Sequence, residues 1–250
     1  MDEQLEERDR AEVLRSADEA REVVVAVDPL QVERYLNPPS DTAYSLEYAF
    51  YLLGDVRGKT VLDFGCGSGE NLLPLVKRGA RVIGLDISPD LIALARQRLD
   101  KAGLDATVTV GTAYETGLPD ESVDVIFSIA LIHHLDIPSL LREMRRILKK
   151  TGRVIIQEPI RFSKGYERLR RMLPAQEDIS EYEHPLTREE FTAVCEPFKS
   201  GGLRYFRLPL IPLFQRISPQ KLLWKFDRWI IRRVPTTNRY ATVVVLQLQR

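Results

Sequence analysis

Two short stretches of this 250-residue chain hold the residue types that chemistry needs. VLDFGCGSGE, residues 61–70, carries Asp63 and then Gly65, Cys66, Gly67, Ser68 and Gly69. Glycines at such a turn admit positive φ and let the backbone approach a ligand with no Cβ in the way. IALIHHLD, residues 129–136, sets His133 and His134 side by side after an apolar run. Histidine titrates close to neutral pH, so it can act as a base, bind a metal, or simply hydrogen-bond within a core.

The glycine stretch narrows the ligand. A dinucleotide loop needs G-x-G-x-x-G, and Glu70 stands where the third glycine belongs. No GKS or GKT follows, which excludes a P-loop. The Asp63 carboxylate, just ahead of Gly65, would repel a pyrophosphate but suits an ammonium or sulfonium group. Asp86 closes the next apolar run, RVIGLD, where an acid can accept hydrogen bonds from both hydroxyls of a ribose. A cationic nucleoside fits this pair of acids better than a phosphorylated one.

Short β-like runs (TVLDF, RVIGLD, ATVTV, VDVIFSIA, RVIIQE) alternate with helical segments and position these residues. That alternation predicts an α/β fold, a Rossmann-like doubly wound sheet with helices on both faces. Ser88 and Pro89 start a helix with Leu91, Ile92, Ala95 and Leu99 along one face. Residues 138–152 predict another, terminated by Gly152, and Thr187 with Glu190 has capping-box spacing. The first 55 residues read as helices forming an N-terminal cap; the acidic start is a charged helix or a frayed arm, and 56–250 forms the main domain.

VLDFGCGSGE, GLDIS, GTAYETGLPDESVDVIFS, HHL and RRILKKTGRVII together resemble the class I S-adenosylmethionine-dependent methyltransferases, in the branch acting on quinones, sugars and other small molecules. The resemblance covers about residues 45–160. It implies a seven-stranded sheet, mostly parallel, whose last strand is antiparallel. It also implies that Asp63, Phe64, Gly65, Cys66 and Gly67 surround the methionine part of S-adenosylmethionine. Asp86 and Ile87 would hold ribose and adenine, with Thr112, Ala113, Ile129 and Ala130 completing the donor site. The family's acid after the glycine that closes the third strand is Thr112 here, a weaker partner for the adenine amine. The family's K-P-G-G turn is K-K-T-G.

His133 and His134 follow the fourth strand, at the edge where a doubly wound sheet places its ligand crevice. A neutral imidazole there can take the proton of a hydroxyl acceptor, and an in-line displacement gains further from orientation. A buried structural histidine is the competing reading. No third ligand has metal-site spacing, so no metal is expected. Glu158, ending RVIIQE on the same edge, can orient a histidine, receive an amine, or end the strand in solvent. QEDISEYEHPL, residues 176–186, reads as a solvated loop, with an acceptor pocket using His184 as the alternative.

Composition sets the remaining bounds. Two cysteines are too few for a disulfide framework or a thiolate metal site, and the start lacks a signal-peptide pattern, so a cytoplasmic protein is expected. The formal charge is zero, yet residues 2–22 hold nine acids against four arginines, and residues 204–239 hold nine basic residues against Asp227. Within the segment 209–237, inserted between the last two strands, Leu222, Leu223, Phe226, Trp229 and Ile230 share a helical face; Trp224 and Ile231 stand apart. This is a helix packed on the domain or an interfacial one touching an anionic membrane. Asn37-Pro38-Pro39 is not at the strand end where DNA amino-methylating enzymes carry their motif, and no DNA partner is expected. RNA methylation through the basic segment and a noncatalytic donor-binding protein stay as alternatives. The reading is methyl transfer to an oxygen or nitrogen of a small, partly apolar acceptor. Oligomeric state is not legible.

Overall fold

The computed structural model describes residues 3–163, 184–208 and 220–250. Its strands are β1 (Thr60–Phe64), β2 (Arg81–Asp86), β3 (Thr107–Val110), β4 (Val123–Ile129), β5 (Leu148–Pro159), β6 (Lys199–Phe206) and β7 (Val243–Gln249). They form a seven-stranded sheet in the order β3-β2-β1-β4-β5-β7-β6. Neighbours from β3 to β5 are parallel, and β7 runs antiparallel to both β5 and β6. The expected fold class holds.

The central strands are apolar on both faces because both are covered. Successive side chains alternate between faces. Leu62, Phe64 and Ile126 therefore join one core cluster, and Val61, Val125 and Phe127 the other. Among the helices are α1 (Glu3–Glu22), α2 (Pro29–Leu36), α3 (Ser45–Leu52), α4 (Leu72–Lys77), α5 (Pro89–Ala102), α6 (Ile137–Ile147), α7 (Arg188–Cys195) and α8 (Gln220–Arg233). Phe50 of α3 is fully buried between Tyr35 and Phe127, with ring centroids 4.7 and 4.9 Å away. The N-terminal helical region thus shares the sheet's core.

Local signals fix several helix ends. The Ser88 side chain accepts from Leu91 N with Pro89 in the first turn, and Asp136 accepts from Ser139 N. Thr187 and Glu190 form the expected capping box. The end of α6 differs from expectation. The helix stops at Ile147 rather than running to Gly152; Leu148 is fully buried and pairs with Val123, and Gly152 lies within β5. Core burial and strand pairing at Leu148 override the helical preference of its neighbours.

The orientation of α8 departs from the packed-helix alternative. Leu222, Phe226 and Trp229 of the apolar stripe are 60%, 58% and 56% exposed. Trp224, which stood apart in the projection, packs edge-on against Tyr44 at 4.5 Å. The physical reason is Asp227: its buried carboxylate accepts from Arg207 N and Leu208 N at 3.0 and 2.8 Å and fixes the helix's rotation. Residues 209–219 of the expected insertion lie outside the described residues, as do 176–183 of the acidic loop.

Candidate functional site

The carboxyl ends of β1, β2, β3 and β4 meet at one cavity. Phe64, Gly65, Gly67, Asp86, Ile87, Ala113, Ala130 and His134 line it, all of them expected from sequence. The loop after β1 has two distinct needs for glycine. A Cβ on Gly65 would lie 2.7 Å from Leu131 Cδ1, and its φ of +74° is left-handed. Gly67, at φ +50°, would point a Cβ into open space at the cavity, so its bare backbone is what leaves that space clear. Arg98 of α5, nearly fully buried, holds the loop from behind by donating to Ser68 O and, at 2.9 Å, to Ser68 Oγ.

Asp63 sits beneath this loop with 1% of its surface exposed, and neither carboxylate oxygen has a hydrogen-bond partner among the described residues. Burial, and then the charge of Asp86, push its carboxyl well above the usual range. An uncompensated buried carboxylate is costly unless a proton or a cation meets it. Asp86 is better held: Oδ2 accepts from Gly67 N at 2.8 Å and Oδ1 from Ser88 N at 3.0 Å. Each oxygen keeps a further lone pair for a ligand hydroxyl. Burial raises this carboxyl too, against the pull of the Ser88, Gly67 and Ile87 amides.

The two histidines lie on a 3-10 turn, Ile132–His134, and face adjoining hollows. His134 lines the main cavity. Burial, with His133 beside it, holds its pKa down at about 4. His133 lines a second hollow with Ile132, His184, Leu186, Glu189 and Glu190, and Arg8 and Leu135 border both. Its Nδ1 is 2.7 Å from Glu158 Oε2, while Glu158 Oε1 accepts from Leu131 N and Ile132 N at 2.8 and 2.7 Å. Glu158 has no exposed surface and lines neither hollow, so it is placed to hold the turn and orient His133. Ala130 enters the turn at a left-handed φ of +54°, strain of the kind that collects where a chain is bent to serve a site.

Other expected donor residues, Asp63 among them, do not line the cavity. Cys66 is buried, its Sγ directed at the Gly84 backbone of β2. Ile129 packs against the core. Thr112 Oγ1 accepts from Tyr114 N at 3.4 Å, and its hydroxyl pulls the Asp9 carboxyl down against the larger effect of burial.

Asp9 belongs to the part that sequence reasoning missed. Helix α1 roofs the cavity with Arg8, Asp9, Glu12, Arg15, Ser16 and Glu19. Arg8 Nε donates to His134 O at 2.6 Å, and Glu12 Oε2 lies 3.6 Å from His134 Nδ1. Those six positions fall on one helical face. Their spacing was readable, but a polar, mostly charged face reads as a solvated one. The one residue on that face that departs from the charged pattern is Ser16, small and uncharged, and it is 3% exposed.

Residues 62–156 match the family model described as a methyltransferase domain. The chain is 30% identical over 115 residues to a ubiquinone biosynthesis O-methyltransferase of Azorhizobium caulinodans, covering 46% of each chain. It is 33% identical over 123 residues to a demethylmenaquinone methyltransferase of Tropheryma whipplei, covering 47% of this chain and 50% of the relative. The matched part therefore spans about half the length of these curated relatives. The fold is similar to that of geranyl diphosphate C-methyltransferase from Streptomyces coelicolor A3(2), whose crystal structure holds Mg2+, geranyl diphosphate and S-adenosyl-L-homocysteine. The TM-score is 0.60 at 16% identity, over 86% of this chain and 88% of that one.

Proposed function

We propose that this chain, which matches a methyltransferase domain over residues 62–156, is a class I S-adenosylmethionine-dependent methyltransferase that methylates an oxygen or nitrogen of a small, partly apolar molecule. The observation that carries the reading is the acid-edged cavity. The partnerless Asp63 carboxylate lies on β1 just ahead of the bare-backbone loop, and Asp86, which lines the cavity, ends the neighbouring strand. Those residues fit the donor: the Asp63 side supports a cationic methionine moiety and Asp86 a ribose. S-Adenosylmethionine supplies a methyl group on a positively charged sulfur, a strong electrophile with a good leaving group. The chain's part is then mainly to orient the acceptor in line with it.

The acceptor enters through the second hollow, which meets the donor cavity at Arg8 and Leu135. His134 is neutral at pH 7 with a pKa of about 4, so its imidazole aligns an acceptor's proton more than it removes it. His133, oriented by Glu158, lines the hollow wall. The test is transfer of radiolabelled methyl from S-adenosylmethionine into lipid and aqueous extract fractions, with RNA as control. Label in a small-molecule fraction that vanishes with Asp86→Ala supports the proposal. Label in RNA replaces it with the RNA reading, and donor binding without turnover replaces it with a noncatalytic one.

Membrane-surface contact through α8 is part of this proposal. Leu222, Phe226 and Trp229 are solvent-exposed, the last two stacked at 6.0 Å. Lys225, Arg232 and Arg233 are exposed on the same helix, whose acid, Asp227, is buried. An aromatic stripe among cations suits an anionic bilayer interface. No helix among the described residues is long and apolar enough to cross a membrane. Phe226→Ser with Trp229→Ser should abolish sedimentation with phosphatidylglycerol vesicles; unchanged sedimentation ends this part of the proposal.

A further inference from the structure

A third hollow, about 410 Å³ in volume, opens at the β6 edge of the sheet, where α3, β6, α8 and the 3-10 turn Pro235–Tyr240 meet. It shares no lining residue with the donor cavity or the acceptor hollow. Three guanidinium groups line it: Arg204 from β6, and Arg228 and Arg232 from α8. Positions 228 and 232 are one helical turn apart, so their side chains are neighbours on the helix surface. Arg204 is fixed in place. It donates to Ser40 O at 3.1 Å and to Thr42 O, and its guanidinium lies 4.7 Å from the ring centroids of both Tyr48 and Phe206.

The two acids at this hollow do not match the three cations. Asp41 is 75% exposed and lies 3.3 Å from Arg228, a pair weakened by water on the acid's side. The Asp227 carboxylate is already committed to Arg207 N and Leu208 N. Neither acid pairs with Arg232. Burial, and then the charge of Arg228, bring the Arg204 pKa down to about 10, as befits a cation crowded by its own kind. Asn238 lines the same hollow, and its buried Oδ1 has no hydrogen-bond partner among the described residues. Turning that amide presents an N–H in its place. The hollow thus offers positive charge and donors without an acceptor to satisfy them.

We propose that this hollow binds a phosphate group, gripped by Arg228 and Arg232 against the fixed Arg204. Guanidinium forks match phosphate oxygens in pairs, which makes arginine the natural residue for such a site. Around α8, Arg232 stands between the buried Asp227 and the exposed Trp229. A phosphate held there lies beside the exposed stripe of Leu222, Phe226 and Trp229, which favours a membrane lipid headgroup over a soluble phosphate ester as its source. The site depends on neither the donor reading nor the acceptor's identity.

The test is calorimetric titration of the full chain with inorganic phosphate and with dihexanoylphosphatidic acid below its micelle concentration. Wild-type protein should bind both. Arg228→Gln combined with Arg232→Gln should weaken both at least about tenfold. Arg232→Gln alone, at an exposed position that folding does not need, should weaken both at least about threefold. Lys225→Gln combined with Arg233→Gln removes the same charge from the same helix outside the hollow, and should leave both affinities within about twofold of wild type. Lipid binding at least about tenfold tighter than phosphate binding assigns the site to a headgroup, whereas equal affinities assign it to a soluble phosphate compound. Failure of wild-type protein to bind either probe overturns the site. Equal losses in the two double variants overturn it as well, since diffuse charge on α8 then explains the binding.

Discussion

Replacing Glu158 by alanine removes the acceptor shared by three buried or part-buried groups: Leu131 N, Ile132 N and His133 Nδ1. Each donor left without a partner costs about 1–3 kcal/mol. Three would sum to roughly 3–9 kcal/mol if nothing relaxed. Removing the carboxylate also relieves its own burial cost, which brings the expectation to about 3–5 kcal/mol, the lower half of that range. For a domain of this size that is a fall in Tm of roughly 10 °C, at about 2–4 °C per kcal/mol. Glu158→Gln is the informative contrast. Its amide oxygen can still accept from Leu131 N and Ile132 N, and its amino group can donate to His133 once the ring proton moves to Nε2. The expected loss is about 1–2 kcal/mol, a fraction of the alanine cost. Urea unfolding followed by circular dichroism, with linear extrapolation, measures both. An alanine variant within about 1 kcal/mol of wild type, or a glutamine variant as unstable as alanine, would refute this account of Glu158. Donor affinity provides a second readout. Because Glu158 lines neither hollow, folded Glu158→Gln should bind S-adenosylhomocysteine within about threefold of wild type.

Asp86→Ala deletes the charged acceptor for the ribose, and two charge-assisted bonds at about 1.5 kcal/mol or more each imply a Kd raised roughly 100-fold; wild-type affinity by calorimetry would contradict the assignment. Gly65→Ala combines a left-handed φ of +74° with a Cβ 2.7 Å from Leu131 Cδ1. It should cost about 2–4 kcal/mol in urea unfolding, and adding Leu131→Ala should relieve the clash but not the backbone strain. His134 should make stability pH-dependent, because burial and His133 hold its pKa at about 4 instead of 6.5. The unfolded chain binds that proton first as pH falls, so stability is intact above pH 6.5 and declines toward pH 4, by up to about 3 kcal/mol. His134→Gln should flatten this difference across that window; identical pH profiles would show that His134 is not held neutral by its surroundings. Donor binding should release a proton from Asp63, whose buried carboxyl ionises when a cation meets it. Calorimetry in two buffers of different ionisation enthalpy detects the release, which should vanish in Asp63→Asn.

Much of this protein is written in local sequence. The glycine loop, the acid ending β2, the caps at Ser88 and Thr187 and the apolar strand runs each depend on neighbours within a few residues. Turn and cap chemistry acts at that range, and the doubly wound sheet follows from the order of those elements. Tertiary structure decided the rest. His133 and His134 are adjacent in sequence, yet only the arrival of Glu158, 25 residues later, turned one of them into a braced wall of the second hollow. The same glutamate satisfies the backbone of the turn, which no pattern around residue 158 announces. The acidic start read as a charged helix or a frayed arm; it is a helix, and Arg8 reaching His134, 126 residues away, makes it a roof. In α8 the larger apolar stripe would normally face inward, but Asp227 bonding the backbone of Arg207 and Leu208 turned it outward. Hydrophobic periodicity sets how a helix can pack, whereas a buried carboxylate that must find donors selects which packing occurs.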